Sequence, residues 1–416
     1  MSDDALRQAA LEYHAAPRPG KIGTHVFKPA DSSRDLALAY SPGVAEPVLA
    51  IAENPETAYQ YTNKGNLIGI VTDGSAILGL GNLGALASKP VMEGKALLFK
   101  RFAELDCVDI EIDTDNAEDF IDTVARIADS FGGINIEDVG APQCFAIEAA
   151  LKARCKVPVF HDDQHGTAIC VVAGLLNALE IQGKQLDQVK VVCLGSGAAG
   201  TATLRLLRSM GVPPDHLTAV DRQGVVHADR GSLPDYKAEF ARKTDARTLA
   251  DALKGADVFI GVSAGGLLDA ELLRSMADKP VIFALANPEP EVRPSIARGI
   301  RDDVIVATGR SDFPNQVNNV LCFPFIFRGA LDVRASAITE EMKVASARAI
   351  AALAKEPVPA EVLAAYPDVA ALEFGPDYIL PKPMDPRLRD TVASAVAKAA
   401  IESGVAGKPY PAHYPS

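Results

Sequence analysis

Apolar and polar positions change period in an orderly way along this chain. Leu67-Ile-Gly-Ile-Val-Thr72 is a continuous apolar run of strand length that stops at Asp73-Gly74. Residues 107–113 alternate, with Val108, Ile110 and Ile112 on one face, the period of a half-buried strand. Residues 118–131 carry apolar positions at helical spacing and end at Gly132-Gly133, a helix-stop signal. Ile134 and Ile136 then lead to Glu137-Asp138. Residues 142–153 return to helical spacing, and Val157, Val159 and Phe160 lead to Asp162-Asp163. Strand patterns alternating with helix-length patterns predict a parallel sheet with crossover helices.

The second half repeats this alternation. A helical pattern over 164–181 precedes an apolar run at 190–195, a helix over 201–210 and a strand at 216–221. Further buried-strand runs occupy 256–263, 280–288 and 303–309. Asn318-Asn319 lead a helix from Phe323 to Ala337, and a Pro-punctuated segment (Pro381 to Pro386) precedes a last helix over 392–403. The amino end is less regular. Residues 1–35 read as an arm. Leu36 to Tyr40 is an apolar run read as a strand, with Tyr40 projected by the Ser41-Pro-Gly43 turn. Ala85 to Pro90 is a weak helix start cut by Pro90. A helix from Pro90 to Phe99 then carries Lys95 among Met92, Leu98 and Phe99. That lysine either snorkels to water or is a desolvated base with a lowered pKa.

Two stretches read GxGxxG. The first, Gly79-Leu-Gly-Asn-Leu-Gly84, lacks a clean helix after it and is expected to serve close backbone packing near a site. The second, Gly195-Ser-Gly-Ala-Ala-Gly200, has a strand before it and a helix after it, and Asp221 follows about 20 residues on. That context is the dinucleotide fingerprint. Small residues admit the pyrophosphate, and the helix N-terminus favours its charge. Gly195, Ser196, Gly197, Ala198, Ala199, Gly200, Asp221, Arg222 and Asn287 are the expected cofactor contacts. Asp221 suits a ribose 2′-hydroxyl, hence NAD, and Arg222 suits a 2′-phosphate. These two residues leave the choice between NAD and NADP open.

The two acidic strand ends, Glu137-Asp138 and Asp162-Asp163, sit where open α/β folds place their ligand crevice. They suggest a metal held beside the dinucleotide. Composition narrows the class further. The 416 residues are 48% hydrophobic and 23% charged, ordinary for a globular protein of two or three domains. A net charge of −13 disfavours nucleic-acid or anionic-membrane partners. No run has membrane-span length, and the acidic start does not resemble a secretory signal. Six scattered cysteines without a CxxC pair read as reduced core residues of a cytoplasmic protein.

Together these motifs resemble bacterial malic enzyme in its short form, without the phosphotransacetylase-like domain of some relatives. The resemblance rests on Tyr40-Ser-Pro-Gly-Val44, Val71-Thr-Asp-Gly-Ser75 with Leu78 to Gly84, Met92-Glu-Gly-Lys95, Ile136-Glu-Asp138, Phe160-His-Asp-Asp-Gln-His-Gly-Thr-Ala168, the Gly195 loop, Ala286-Asn-Pro288 and Asn318-Asn319. It implies oxidative decarboxylation of (S)-malate to pyruvate and CO2 with NADP or NAD, some oxaloacetate decarboxylation, and a homodimer. It implies an α/β fold: an N-terminal substrate and metal domain over 1–162, then a Rossmann-like doubly wound dinucleotide domain over 163–416 with C-terminal helices. Glu137, Asp138 and Asp163 match the family's ligands for Mg²⁺ or Mn²⁺, and three carboxylates suit such hard cations. Lys95 matches the base for the 2-hydroxyl, Asp162 its orienting partner, and Tyr40 the acid that protonates C3 of enolpyruvate. Larger animal members carry an arginine shortly after Thr-Asp-Gly, where this chain has Ala76. Carboxylate binding then falls to Ser75, Asn287 and Asn319. Rival readings are a malolactic or purely decarboxylating enzyme, a plain malate dehydrogenase and a non-catalytic nucleotide sensor.

Overall fold

The computed structural model describes residues 3–415 except 78, 368 and 370. Leu78 of the first glycine run and Met1-Ser2 of the acidic start lie outside the described residues.

Two sheets organise the chain. The first contains β1 (Leu67–Thr72), β2 (Asp106–Glu111), β3 (Gly133–Ile136) and β4 (Val159–His161), in the order β2-β1-β3-β4 and parallel throughout. The second contains β5 (Val191–Leu194), β6 (Leu217–Asp221), β7 (Gly224–Val225), β8 (Val258–Gly261), β9 (Val281–Ala284) and β10 (Ile305–Thr308). Its order is β10-β9-β8-β5-β6-β7, with only β7 antiparallel. Strand order reverses about β5, so the crevice opens at the carboxyl ends of β5 and β8.

The helix Asp162–Gln182 joins the sheets. It starts at the residue after β4, with no loop between. Most of its length is buried, including Ile169 to Leu175, as expected of a helix apolar on all sides. It packs on the helices Ala198–Ser209 and Glu340–Leu353. The latter packs on the last helix, Arg387–Glu402, which also packs on Phe323–Asp332. One core cluster therefore spans Ile70 and Phe99 near the first sheet and Val191 and Phe283 in the second.

Four local expectations are corrected. Residues 36–40 are not a strand. Ser33–Ala39 is a helix, capped reciprocally by Ser32 and Asp35, and this capping box outweighs the period-two spacing of Leu36 and Leu38, both exposed. Pro90 does not divide two helices, because Ala85–Ala103 runs through it. Its ring opposes the carbonyl of Leu86, which is on the exposed side, while Met92, Ala96, Phe99 and Ala103 bury the other face. The helix after Asn319 ends at Asp332, not Ala337. Finally, close packing is only part of the reason for Gly79, Gly81 and Gly84: the Gly84 carbonyl would stand 2.3 Å from a Cβ on Gly74. Their φ angles of 77°, 88° and 84° are left-handed, and a Cβ on Gly81 or Gly84 would meet nothing within 4 Å.

Candidate functional site

The carboxyl ends of β3 and β4 build the first centre. Glu137 and Asp138 follow β3, and Asp162 and Asp163 occupy the first turn of the helix after β4. A helix N-terminus favours negative charge. Each of Glu137, Asp138 and Asp163 offers one oxygen, all within 4.8 Å of one another. The Asp138 amide donates to Asp163 Oδ2 at 2.8 Å. Asp138 itself has φ 53°, a left-handed backbone that costs energy outside glycine and clusters at functional sites.

Lys95 enters from the helix Ala85–Ala103. Its Nζ lies 2.6 Å from Asp162 Oδ2 and 2.8 Å from Glu137 Oε1, and 4.1 Å from the centroid of the Phe323 ring. Asn319 Nδ2 donates to the same Asp162 oxygen, and Asn135 Nδ2 donates to Glu137 Oε2 at 2.8 Å. Gly166 keeps the room that Asp162 needs, since a Cβ there would stand 1.9 Å from Asp162 Oδ1. Lys95 therefore does not snorkel: it is 7% exposed.

Charge is unbalanced here. Four carboxylates face one ammonium, a formal sum of −4 + 1 = −3. Burial alone would lower the Lys95 pKa, but Asp162 and Glu137 reverse that and hold the ammonium above its ordinary value. Burial pushes the Glu137 and Asp162 carboxyls up, and Lys95 offsets this only in part. Buried like charges of this kind are costly unless a cation pairs them. Three converging carboxylates fit a hard divalent cation that takes oxygen ligands.

Ser75 lies beside this centre, its Oγ accepting the Gly140 amide at 2.8 Å. It lines a cavity of about 650 Å³ with Asp73, Asn82, Gly140 and Gln143. Tyr40 is not brought into the centre by its own chain. It is 76% exposed at the end of the helix Ser33–Ala39.

The second centre lies at the ends of β5 and β6. The Gly195 amide donates to Val220 O at 2.8 Å, which holds the loop beside Asp221. A Cβ on Gly200 would fall 1.9 Å from Gly195 O, so only glycine permits this tight entry into the helix Ala198–Ser209. Ser196 Oγ faces Val220 O at 3.5 Å. Asn287 lies in the loop after β9, with its backbone carbonyl 3.6 Å from where a Gly79 Cβ would stand. The first glycine run thus borders the loop after β9.

Asp221 does not present a free carboxylate. Oδ1 accepts from Arg230 Nη1 at 3.0 Å and the Gln223 amide at 2.9 Å. Oδ2 accepts from Arg230 Nη2 at 3.1 Å and Lys237 Nζ at 2.7 Å. These four bonds fill about the four acceptor sites of a carboxylate. Burial would raise its pKa, but Arg230 and Lys237 hold it below the usual carboxylate range. Arg222 is exposed next to it. Sequence reasoning missed Arg230, Lys237, Asn135 and Phe323. The first two lie 9 and 16 residues beyond Asp221 with no motif to flag them. Asn135 carried a signal, an amide inside an apolar strand run.

Comparison with known proteins places this geometry. The family description "Malic enzyme, N-terminal domain" matches residues 19–152, and "Malic enzyme, NAD binding domain" matches residues 164–374. An NADP-dependent malic enzyme of Halomonas elongata is 62% identical over 99% of this chain and 97% of its own length. An NADP-dependent malic enzyme of Escherichia coli is 53% identical over 98% of this chain. An NAD-dependent malic enzyme of Rhizobium meliloti is 54% identical over 97% of it. The chain spans about half the length of those two, at 54% and 52%. Among solved structures, malic enzyme from Pyrococcus horikoshii superposes with a TM-score of 0.88 at 43% identity, covering 97% of this chain and 92% of that one.

Proposed function

The chain belongs to the malic enzyme family, and we propose that it carries out that family's reaction at the two centres described. The reaction is oxidative decarboxylation of (S)-malate to pyruvate and CO2 with reduction of NAD(P). The observation that carries this reading is the meeting of Lys95, Asp162 and Glu137 beside Asp138 and Asp163.

Glu137, Asp138 and Asp163 are the proposed ligands of Mg²⁺ or Mn²⁺. Bound there, such an ion supplies Lewis-acid stabilisation of charge on the substrate's C2 oxygen. Lys95 Nζ would take the 2-hydroxyl proton, and bound NAD(P) would supply the hydride acceptor for C2. Asp162 orients Nζ, and Asn319 holds Asp162 in turn. Lys95 must first release its own ammonium proton to water, since only the neutral amine can accept the hydroxyl proton. The pull of Glu137 on that ammonium is weakest when Glu137 is engaged by another cation. The C4 carboxylate then departs as CO2, and its bonding pair forms the enolate of pyruvate. Tyr40 is the proposed proton donor to C3. Ser75, Asn287 and Asn319 are the proposed substrate contacts. General acid–base groups of this kind contribute about 10²–10⁴-fold each.

The exposure of Tyr40 bears on assembly. Leu36, Leu38, Tyr40, Val48 and Leu49 are all exposed along the N-terminal segment, and exposed apolar side chains of this kind suit a protein–protein contact. A homodimer covers them and brings Tyr40 to the partner's site. A domain division at 162/163 suits this arrangement, since the connecting helix begins there. All six cysteines are free, which supports a cytoplasmic setting, and the net charge of −13 argues against nucleic-acid partners.

NADP is the proposed preferred cofactor. Asp221 has no acceptor left for a ribose diol. Arg230 and Lys237 outnumber its charge, and Arg222 adds another cation. Lys237 keeps two of its three donors for a 2′-phosphate. The test is reduction of NADP and of NAD, assayed separately with malate and Mn²⁺, pyruvate quantified and EDTA as control. Pyruvate equal to NADPH, lost with EDTA, is expected. Oxaloacetate without pyruvate would reduce the protein to a plain dehydrogenase. Lactate, or turnover without net reduced cofactor, would move it to a malolactic reaction.

A further inference from the structure

Asn135 is polar where the fold offers an apolar place. β3 is buried along its whole length. At this register its neighbours are Ile70 on β1 and Phe160 on β4. That row faces the core that includes Met92 and Phe99 of the lysine-bearing helix. The alternate row, with Val71, Ile134, Ile136 and Val159, faces a different core. Asn135 is 0% exposed.

The period of a strand places residues 135 and 137 on one face. Asn135 Nδ2 accordingly donates to Glu137 Oε2 at 2.8 Å, while Glu137 Oε1 meets Lys95 Nζ at 2.8 Å. Asn135 Oδ1, also buried, has no protein partner. A buried acceptor without a partner destabilises a fold, so this amide costs stability that a leucine would not.

We infer that Asn135 is a positioning residue for a metal ligand. A carboxylate has about four acceptor sites. Lys95 occupies one on Oε1 and Asn135 one on Oε2. With both oxygens held, the plane of Glu137 is set, and each oxygen keeps a lone pair for the site shared with Asp138 and Asp163. Without the amide, Glu137 is free to turn its second oxygen onto Lys95 and away from that site. Asn319 does the corresponding service for Asp162. The order is amide, carboxylate, ammonium, carboxylate, amide, with the metal ligand at the Asn135 end. The inference rests on the reading of Glu137, Asp138 and Asp163 as metal ligands.

Mn²⁺ alone is titrated into the full chain, and free ion is read by electron paramagnetic resonance without malate or nucleotide. Asn135→Leu keeps the branched shape at a somewhat larger volume and removes both polar atoms. Its dissociation constant for Mn²⁺ is expected to rise about 10–100-fold, as for lost outer-shell partners of metal ligands. Asn135→Gln, which keeps the amide, is expected to recover most of the affinity. NADPH binding, followed by its fluorescence, stays at the wild-type value in both, and the leucine variant melts no lower than wild type. If the leucine variant fails to bind NADPH, Asn135→Thr takes its place. Threonine suits a buried strand and is too short to reach Glu137, so the same loss is expected. Undiminished Mn²⁺ affinity in these variants overturns the inference alone. A loss of melting temperature and NADPH binding without a selective loss of Mn²⁺ assigns Asn135 a purely structural role. A wild-type chain that binds no Mn²⁺ overturns the metal-site reading itself.

Discussion

Glu137 and Asp221 stand at matching places, at the carboxyl ends of parallel strands in their two sheets, and are surrounded in opposite ways. Glu137 belongs to a cluster of four carboxylates of which two, Glu137 and Asp162, share one lysine. Asp221 is one carboxylate shared by an arginine and a lysine. The first centre is short of positive charge and suits a cation. The second has positive charge to spare and suits an anion. Acidic residues at corresponding strand ends thus have opposite surroundings, set by Lys95 for Glu137 and by Arg230 and Lys237 for Asp221.

The largest expected break in the comparison is at the lysine. Lys95→Met is expected to lower kcat by about 10²–10⁴-fold, the range for a general base, with the melting temperature checked in parallel. Retained turnover would remove its proposed role. Next comes Asp163→Asn, expected to weaken Mn²⁺ binding and to lower kcat by at least about 100-fold, while NADPH binding stays unchanged. The anion centre answers to a smaller lever. Lys237→Gln is expected to cut kcat/KM for NADP by about 10–100-fold, as for a lost bond to a charged group, and to spare NAD. Asp221→Asn sharpens the contrast by sign. If Asp221 bound the ribose, its loss would favour NADP over NAD. As a counter-ion that positions Lys237 and Arg230, its loss lowers NADP use instead. The smallest effect is expected at Gly81→Ala, a left-handed position with open space around it. About 1 kcal/mol of stability is lost there with no change in nucleotide KM. Gly200→Ala, by contrast, raises that KM because its Cβ has no room.

Much of this contrast was legible from local pattern. Apolar runs that end in acids marked β3, β4 and β6, because a buried parallel strand must change character where it meets the crevice. The Gly195 loop was legible because strand, glycines, helix and acid follow in one short unit. The Ser33–Ala39 helix was misread because the spacing of two leucines on an exposed turn mimics a strand, and the capping pair Ser32 and Asp35 was the better signal. Tyr40 is exposed as a projecting residue would be, but it projects from a helix end and not from a strand, and its place relative to the first centre depends on how the N-terminal segment folds. The pinning of Asp221 was invisible because Arg230 and Lys237 reach it only after the turn through β7 brings them back. Asn135 was legible as an amide inside an apolar run, but its role depends on the strand register that pairs it with Ile70 and Phe160.

The central claim is that the carboxylates after β3 and β4 form a cation site that serves malate. It is tested most directly by anomalous diffraction at the manganese edge from crystals holding Mn²⁺ and malate. The account predicts one strong peak between Glu137, Asp138 and Asp163, with the malate C2 oxygen beside it and Lys95 Nζ within hydrogen-bond reach of that oxygen. A bound malate with no peak there, or a peak held by other residues, would contradict it.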